Sequence, residues 1–167
     1  ITLYPTNVFT VFTRGAGASS VTGTPYELFK PSSGTYGALL ILDDAGQKEI
    51  IPLNTITAIY LGNDAVYNPS ITYLTPTKLI PGFDTNLLAA YHEYLPVSTE
   101  VSFYAGTVIS GEGMVYKNEY GIIVLSDENG NTPVFMPVLN INVILPKSSS
   151  TTVAKTGTSR VIIQAKT

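Results

Sequence analysis

The chain has no cysteine, no tryptophan and a single histidine, and only 13% of its residues are charged, against roughly 25% in ordinary globular domains. The missing cysteine excludes disulfides, thiolate metal sites and thiol nucleophiles. No stretch approaches the run of about 18 apolar residues that crosses a bilayer as a helix, and none reads as a signal peptide. A chain that starts at Ile1 is expected to be a processing product or the edge of a longer one. No nucleophile elbow, phosphate loop, His-Glu-x-x-His pair or dinucleotide fingerprint occurs. Basic residues are scarce over most of the length. Positions 1–146 carry five Lys or Arg against twelve Asp or Glu, whereas 147–167 carry Lys147, Lys155, Arg160 and Lys166 and no acid. An acidic body repels phosphates, so nucleic acid is not an expected partner.

In place of charge the chain has Thr, Ser, Asn, Gly and eleven tyrosines among its 167 residues. That composition suits proteins that work in dense assemblies or outside cells. The length allows one medium domain with a sizeable core, or two very small ones. Its organisation is visible as a repeat. The segment 36–62 reads Tyr36-Gly37, an apolar run over 38–42, Asp43-Asp44-Ala45-Gly46, then Ile50-Ile51-Pro52-Leu53 and Ile56, Ala58, Ile59. The segment 120–146 reads Tyr120-Gly121, an apolar run over 122–125, Asp127-Glu128-Asn129-Gly130, then Phe135-Met136-Pro137-Val138 and Ile141, Val143, Ile144. One inserted residue after Gly46/Gly130 aligns them. Repeated units usually bury their apolar faces against each other.

Strand signals are dense. Runs of β-branched or aromatic residues over 8–13, 26–29, 38–42, 49–51 and 56–61 are separated by Gly, Pro or Asx, and 101–104, 107–109, 113–116, 122–125, 134–136 and 141–145 repeat the series. Asp43-Asp44-Ala45-Gly46 and Asp127-Glu128-Asn129-Gly130 predict hairpin tips, each with a Gly where a positive φ is needed. One helix is predicted over 86–95, capped by Asp84-Thr85 and stopped by Pro96, with Leu87, Leu88, Tyr91 and Leu95 on one face. The chain thus divides into a first β-repeat (1–62), a connector with the short helix (63–97), a second β-repeat (98–146) and a linker with a C-terminal strand (147–167). In that last segment a Ser/Thr tether leads to Arg160-Val161-Ile162-Ile163-Gln164-Ala165-Lys166. An apolar strand on a flexible tether has no obvious partner in either repeat, and is expected to add to a sheet edge, its own or a neighbour's.

Five strand segments in 101–145, ending in Pro137-x-x-x-Ile141-x-Val143-Ile144, resemble an Sm-like or SH3-like small barrel. The first repeat fits the same scheme with a longer loop over 14–24. The resemblance covers about two thirds of the chain as a strand pattern. It implies an all-β fold, either two tandem small barrels or one fused β-sandwich from an internal duplication, with one short helix at about 85–95. RNA binding in Sm-like proteins uses an Asp/Asn-Gly pair and basic or His-containing loops. The late loop here, 135–140, has no basic residue, so the resemblance carries the barrel and not the RNA.

Candidate chemistry is thin. His92 would need an orienting acid and a nucleophile to act as a base; adjacent Glu93 points elsewhere on a helix, and a half-buried structural role is expected. Asp127-Glu128-Asn129-Gly130-Asn131 echoes a calcium loop but lacks its spaced acids and terminal Glu. No pair among the acids stands out for glycoside cleavage. The sequence therefore points to a non-enzymatic structural subunit without cofactor or metal that self-assembles, as a virion component or an extracellular filament protein. Its partners would be copies of itself or other subunits, and its interface Arg160, Val161, Ile162, Ile163, Gln164, Ala165 and Lys166. A β-barrel module binding peptide or carbohydrate through a patch of Tyr26, Tyr60, Tyr67 and Tyr73 is the alternative. An Sm-like ring touching nucleic acid is the third reading.

Overall fold

A computed structural model of the chain describes residues 1–14, 20–34, 36–62, 64–73, 82–105, 109–147 and 162–165. The described residues form eleven strands: β1 (Phe9–Thr13), β2 (Ser20–Phe29), β3 (Leu39–Asp44), β4 (Gln47–Pro52), β5 (Ile56–Leu61), β6 (Glu100–Ala105), β7 (Ile109–Glu119), β8 (Ile122–Ser126), β9 (Val134–Pro137), β10 (Ile141–Pro146) and β11 (Ile162–Ala165). One α-helix, α1 (Phe83–Tyr94), separates β5 from β6, and 3-10 turns at Leu53–Thr55 and Val138–Asn140 link β4 to β5 and β9 to β10.

The strands follow from period-two burial. In β6 the side chains of Val101, Phe103 and Ala105 are buried while Glu100 and Tyr104 face out. In β9 Val134 and Met136 are buried and Phe135 turns to the other face. The β3–β4 hairpin closes on Ala45 (φ 49°) and Gly46 (φ 95°), the two positive-φ positions of a tight two-residue turn. Asp43 Oδ1 accepts the Gly46 N–H at 2.7 Å, and the Lys48 ammonium pairs with the same carboxylate. That turn was legible from Asp-Asp-Ala-Gly.

All pairings are antiparallel, and the order across the sheet is β10-β6-β7-β8-β9-β5-β1-β2-β3-β4, with β11 beside β7. The order within the second five strands repeats that within the first. Each half also has one long strand that changes partner at a bulge. β2 leaves β1 for β3, its register shifting between Pro25 and Glu27, and β7 leaves β6 for β8, shifting between Val115 and Lys117. Tyr26 and Tyr116 are the two extra residues, and such bulges sharpen the local bend.

The halves meet at β5 and β9, where Ile59 pairs with Phe135 and Tyr60 with Val134. The Leu61 N–H adds a bond to the Pro133 carbonyl at 3.1 Å. Asn140 Nδ2 donates to the Ile56 carbonyl at 2.5 Å, and Arg14 Nη1 donates to Asn140 Oδ1 at 3.4 Å. The side chains interleave there. Phe12 and Ala58 of the first half join the core of Val101, Phe103, Val115 and Met136, while Phe135 of the second packs on the core of Phe9, Val11, Leu42 and Leu61.

Several expectations are corrected. The sheet does not close into a barrel; it runs open from β10 to β4, because β5 gives its second edge to β9. The predicted strand 26–29 begins earlier, at Ser20, because Ser20, Val21, Thr22 and Gly23 pair along β1. The helix starts at Phe83 with Gly82 in the cap position and no side-chain cap, so Asp84 lies in the first turn instead of capping it. Its predicted face does reach the second core through Leu87, Leu88, Tyr91 and Leu95. The predicted strand at 107–109 reaches the described residues only at Ile109, which opens β7.

Phe103 is fully buried, so Phe103→Ala is expected to cost about 3–5 kcal/mol by urea unfolding, whereas half-exposed Val143→Ala should stay within about 1. Equal losses at the two positions would contradict the core described.

Candidate functional site

Among the described strands the ten-strand path ends in two outer edges, and β11, paired only with β7, adds a third. On β4, the pair Asp44–Gln47 closes the hairpin, and antiparallel pairs alternate in bonding, so Glu49 and Ile51 bond inward to β3 while Lys48 and Ile50 turn their backbone groups outward. The Ile50 side chain is 61% exposed. On β10, the Lys147 N–H bonds the Glu100 carbonyl at 2.8 Å, so the same alternation turns Ile144 and the Pro146 carbonyl away from β6. Val143 and Leu145 are 42% and 47% exposed. Among the described strands, β4 has only β3 as a neighbour and β10 only β6. Beside β10 an apolar groove of about 320 Å³ runs between the strand and the helix, lined by Leu87, Ala90, Tyr91, Tyr94, Leu95, Ile144 and Pro146.

The helix that walls this groove is anchored from one strand end. Asn118, buried at the end of β7, donates through Nδ2 to the carbonyls of Tyr91 at 2.6 Å and Leu95 at 2.7 Å. The Tyr91 carbonyl also accepts the Leu95 N–H at 3.2 Å, whereas the Leu95 carbonyl lies past the last intrahelical donor. Among the described residues no donor reaches Asn118 Oδ1. Tyr120 Oη donates to the Thr85 carbonyl at 3.3 Å, holding the first turn. His92 is exposed rather than half-buried; its Nδ1 lies 2.7 Å from the Asn118 carbonyl and its ring 6.3 Å from that of Tyr120. A ring nitrogen facing a carbonyl carries the proton, and this bond is a further tie between helix and strand.

A second concavity is aromatic. Tyr67, nearly buried, has its ring 5.1 Å from Tyr116 and 6.3 Å from Phe135. Its hydroxyl lies 3.0 Å from that of Tyr73. Burial, then the bond to Tyr67, pushes the Tyr73 hydroxyl above the ordinary phenol range. With Pro69, Ile71, Lys117 and Glu119 these tyrosines line a cleft of about 380 Å³. Of the four tyrosines expected to form one patch, only Tyr67 and Tyr73 meet. Tyr26 is exposed with the Lys48 ammonium 3.5 Å above its ring, and Tyr60 packs on the second core. Sequence reasoning missed Tyr116, whose signal was its place in the bulge.

The loop after β8 binds itself. Asp127 Oδ1 accepts the backbone N–H groups of Asn129 and Asn131, each at 2.9 Å, and Oδ2 accepts Asn131 Nδ2 at 2.7 Å. The connector adds to it, with the Tyr67 N–H on the Gly130 carbonyl and the Thr132 N–H on the Ala65 carbonyl, both 2.7 Å. Burial raises the Asp127 pKa, but the bonds from Asn131, Asn129 and Gly130 outweigh it and hold the carboxyl below the usual range. Among the described residues no group of three or more His, Cys, Asp or Glu could hold a metal ion, and no helix is long and apolar enough to cross a membrane.

Of the expected C-terminal interface, Ile162, Ile163, Gln164 and Ala165 form β11 and pair with Glu112, Gly111, Ser110 and Ile109 of the same chain. Arg160, Val161 and Lys166 lie outside the described residues. The strand, expected to add to a sheet edge of its own chain or of a neighbour, lies along β7 of its own chain. No family model, curated protein or solved structure matches the chain.

Asn118→Ala takes the donor from the Leu95 carbonyl and leaves the Tyr91 carbonyl only the Leu95 N–H, and is expected to lower stability by about 1–3 kcal/mol; no change would show water taking over the lost bonds. Asp127 contributes stability that is complete above its unfolded pKa of about 3.9 and is lost as pH falls through its lower folded value. The stability gap between the parent chain and Asp127→Ala should hold from neutral pH to about 4 and narrow below it. Narrowing already near pH 6 would contradict a depressed carboxyl.

Proposed function

We propose that the protein is a non-enzymatic structural subunit that self-assembles, in a virion or an extracellular filament, and that its two halves are copies of one small-barrel unit left open at the edge. A single observation carries this reading: the halves join by edge-to-edge strand pairing, and the sheet ends in two further edges with exposed apolar side chains. Exposed apolar edges template pairing with other chains. The repeated strand order and the matching bulges support the duplication. The C-terminal arm is a second means of assembly. β11 lies on its own β7, and the Ser/Thr-rich stretch at 147–152 would let the same pairing form with a neighbour's β7, as in strand exchange.

Light scattering across a dilution series is expected to show mass growing with concentration, and micrographs of the concentrated protein to show a ring or a fibre. A chain that stays monomeric at its highest soluble concentration would falsify the proposal. Deleting 148–167 is expected to reduce the assembled mass without abolishing it; an unchanged mass removes the arm from the mechanism.

The aromatic cleft favours one alternative, a module that binds peptide or glycan. Tyr67, Tyr73 and Tyr116 offer ring faces and hydroxyls in one concavity beside Lys117 and Glu119. Binding of a glycan or peptide by a monomeric chain, lost in Tyr73→Ala, would put this reading first.

A further inference from the structure

The geometry points to a head-to-tail contact between copies of this chain, in which β10 of one copy pairs antiparallel with β4 of the next and repeats the internal β5–β9 junction. This deepens the self-assembly reading and rests on it. The argument begins with the alignment of the halves. Pro52 and Pro137 occupy the same place, which sets Ile50 against Phe135 and Glu49 against Val134. The five-strand order is the same in both halves, so β10 stands where β5 does, with Ile144 at Ile59, Leu145 at Tyr60 and Pro146 at Leu61. Within the chain Ile59 pairs with Phe135 and Tyr60 with Val134. Transferred to the outer edges, the same register pairs Ile144 with the neighbour's Ile50, and Leu145 with its Glu49.

The backbone is prepared for that register. Ile50 and Ile144 both turn their N–H and C=O groups outward and can exchange two bonds, as a bonded antiparallel pair does. Pro146 has no N–H, but its outward carbonyl can accept the outward N–H of the neighbour's Lys48. The internal junction has the mirror arrangement, where Pro133 lacks the N–H and its carbonyl accepts from Leu61 at 3.1 Å.

The grooves agree with the strands. Ile59 and Leu61 line a groove of about 270 Å³, and Phe135 of the other half stands in its wall. Ile144 and Pro146, the matching residues, line the groove against the helix. The place matching Phe135 would be filled by Ile50 of a neighbour, which is 61% exposed in the single chain. A second copy of this chain is therefore the occupant, since it carries an apolar side chain at the matching position of a matching strand edge. Because the two edges differ, the contact is heterologous, and it generates a ring if the rotation closes and a fibre if it does not.

The absence of cysteine makes the register directly measurable. Leu145 and Glu49 would form the non-bonded pair, with Cα atoms about 4.5 Å apart, within reach of a disulfide. The double variant Glu49→Cys, Leu145→Cys is expected to give a ladder of multimers on oxidation, collapsing to one band on reduction. A mixture of the two single variants should give dimers that neither variant forms alone. Dimers from a single variant in the same yield would indicate contact between like edges and overturn the proposal. An equal ladder from the shifted pair Ile50→Cys, Leu145→Cys would overturn it too. Should the unmodified chain assemble while the double variant gives no ladder, the head-to-tail contact fails and self-assembly stands. Should the unmodified chain remain monomeric, both fail. Circular dichroism of each reduced variant confirms that the sheet is intact before oxidation.

Discussion

The pairing of β5 with β9 is only two registered residues long, yet both cores depend on it. It places Phe135 against the first core and lets Phe12 and Ala58 close the second. Without it, apolar surface on both halves would face water, and the outward backbone groups of β5 and β9 would lose their partners. Exposing that apolar surface is costly, which favours one continuous sheet over two independent barrels on a string. The open sheet follows. A strand has two edges, and β5 uses one for β1 and the other for β9.

The same reasoning applies at the ends, with unequal force. β4 has the defences of an edge strand: Lys48 is paired with Asp43, Gln47 Nε2 donates to Glu49 Oε1 at 3.2 Å, and Pro52 has no N–H to offer a further strand. Charges and proline discourage unspecific pairing. β10, Ile-Asn-Val-Ile-Leu-Pro, has the proline and a register shift between Ile141 and Val143, but no charge. Between them the two prolines confine any pairing to a short window. Short, defined windows favour one register over many, which separates assembly from aggregation.

Much of this was legible beforehand. The Asp-Asp-Ala-Gly turn and the strand runs emerged from period-two patterning and turn chemistry, which act locally. What could not be read was how the halves join. Ile59, Tyr60, Val134 and Phe135 have the same apolar character whether a strand meets its own sheet, the other half or another molecule. The partner of β11 was hidden for the same reason: Ile-Ile-Gln-Ala states that an edge is needed, not which one. Gly82 in the cap position escaped notice because Asp84 and Thr85 carry the stronger capping chemistry, yet the first turn closes upstream of them, with the Asn86 N–H on the Gly82 carbonyl at 3.1 Å. Asn118 was invisible because its task, binding carbonyls of a helix that ends more than twenty residues earlier, leaves no local pattern.

The two grooves show what the halves do not share. Around Ile59 and Leu61 the wall opposite Phe135 is built by the start of the chain, with Tyr4 Oη accepting the Asn68 N–H at 2.6 Å and donating to the Val66 carbonyl at 3.1 Å. Around Ile144 and Pro146 the helix takes that position, held by Asn118 and Tyr120. Unlike segments thus cover like strands. Had the outer groove needed only to be shielded, a helix bearing Leu87, Tyr91 and Leu95 could have packed flat on β10 and closed it. It is instead anchored toward the end of β7, and an apolar groove of about 320 Å³ remains between helix and β10. In the matching groove Phe135 of the other half stands in the wall, and under the head-to-tail proposal Ile50 of a neighbour would take that place.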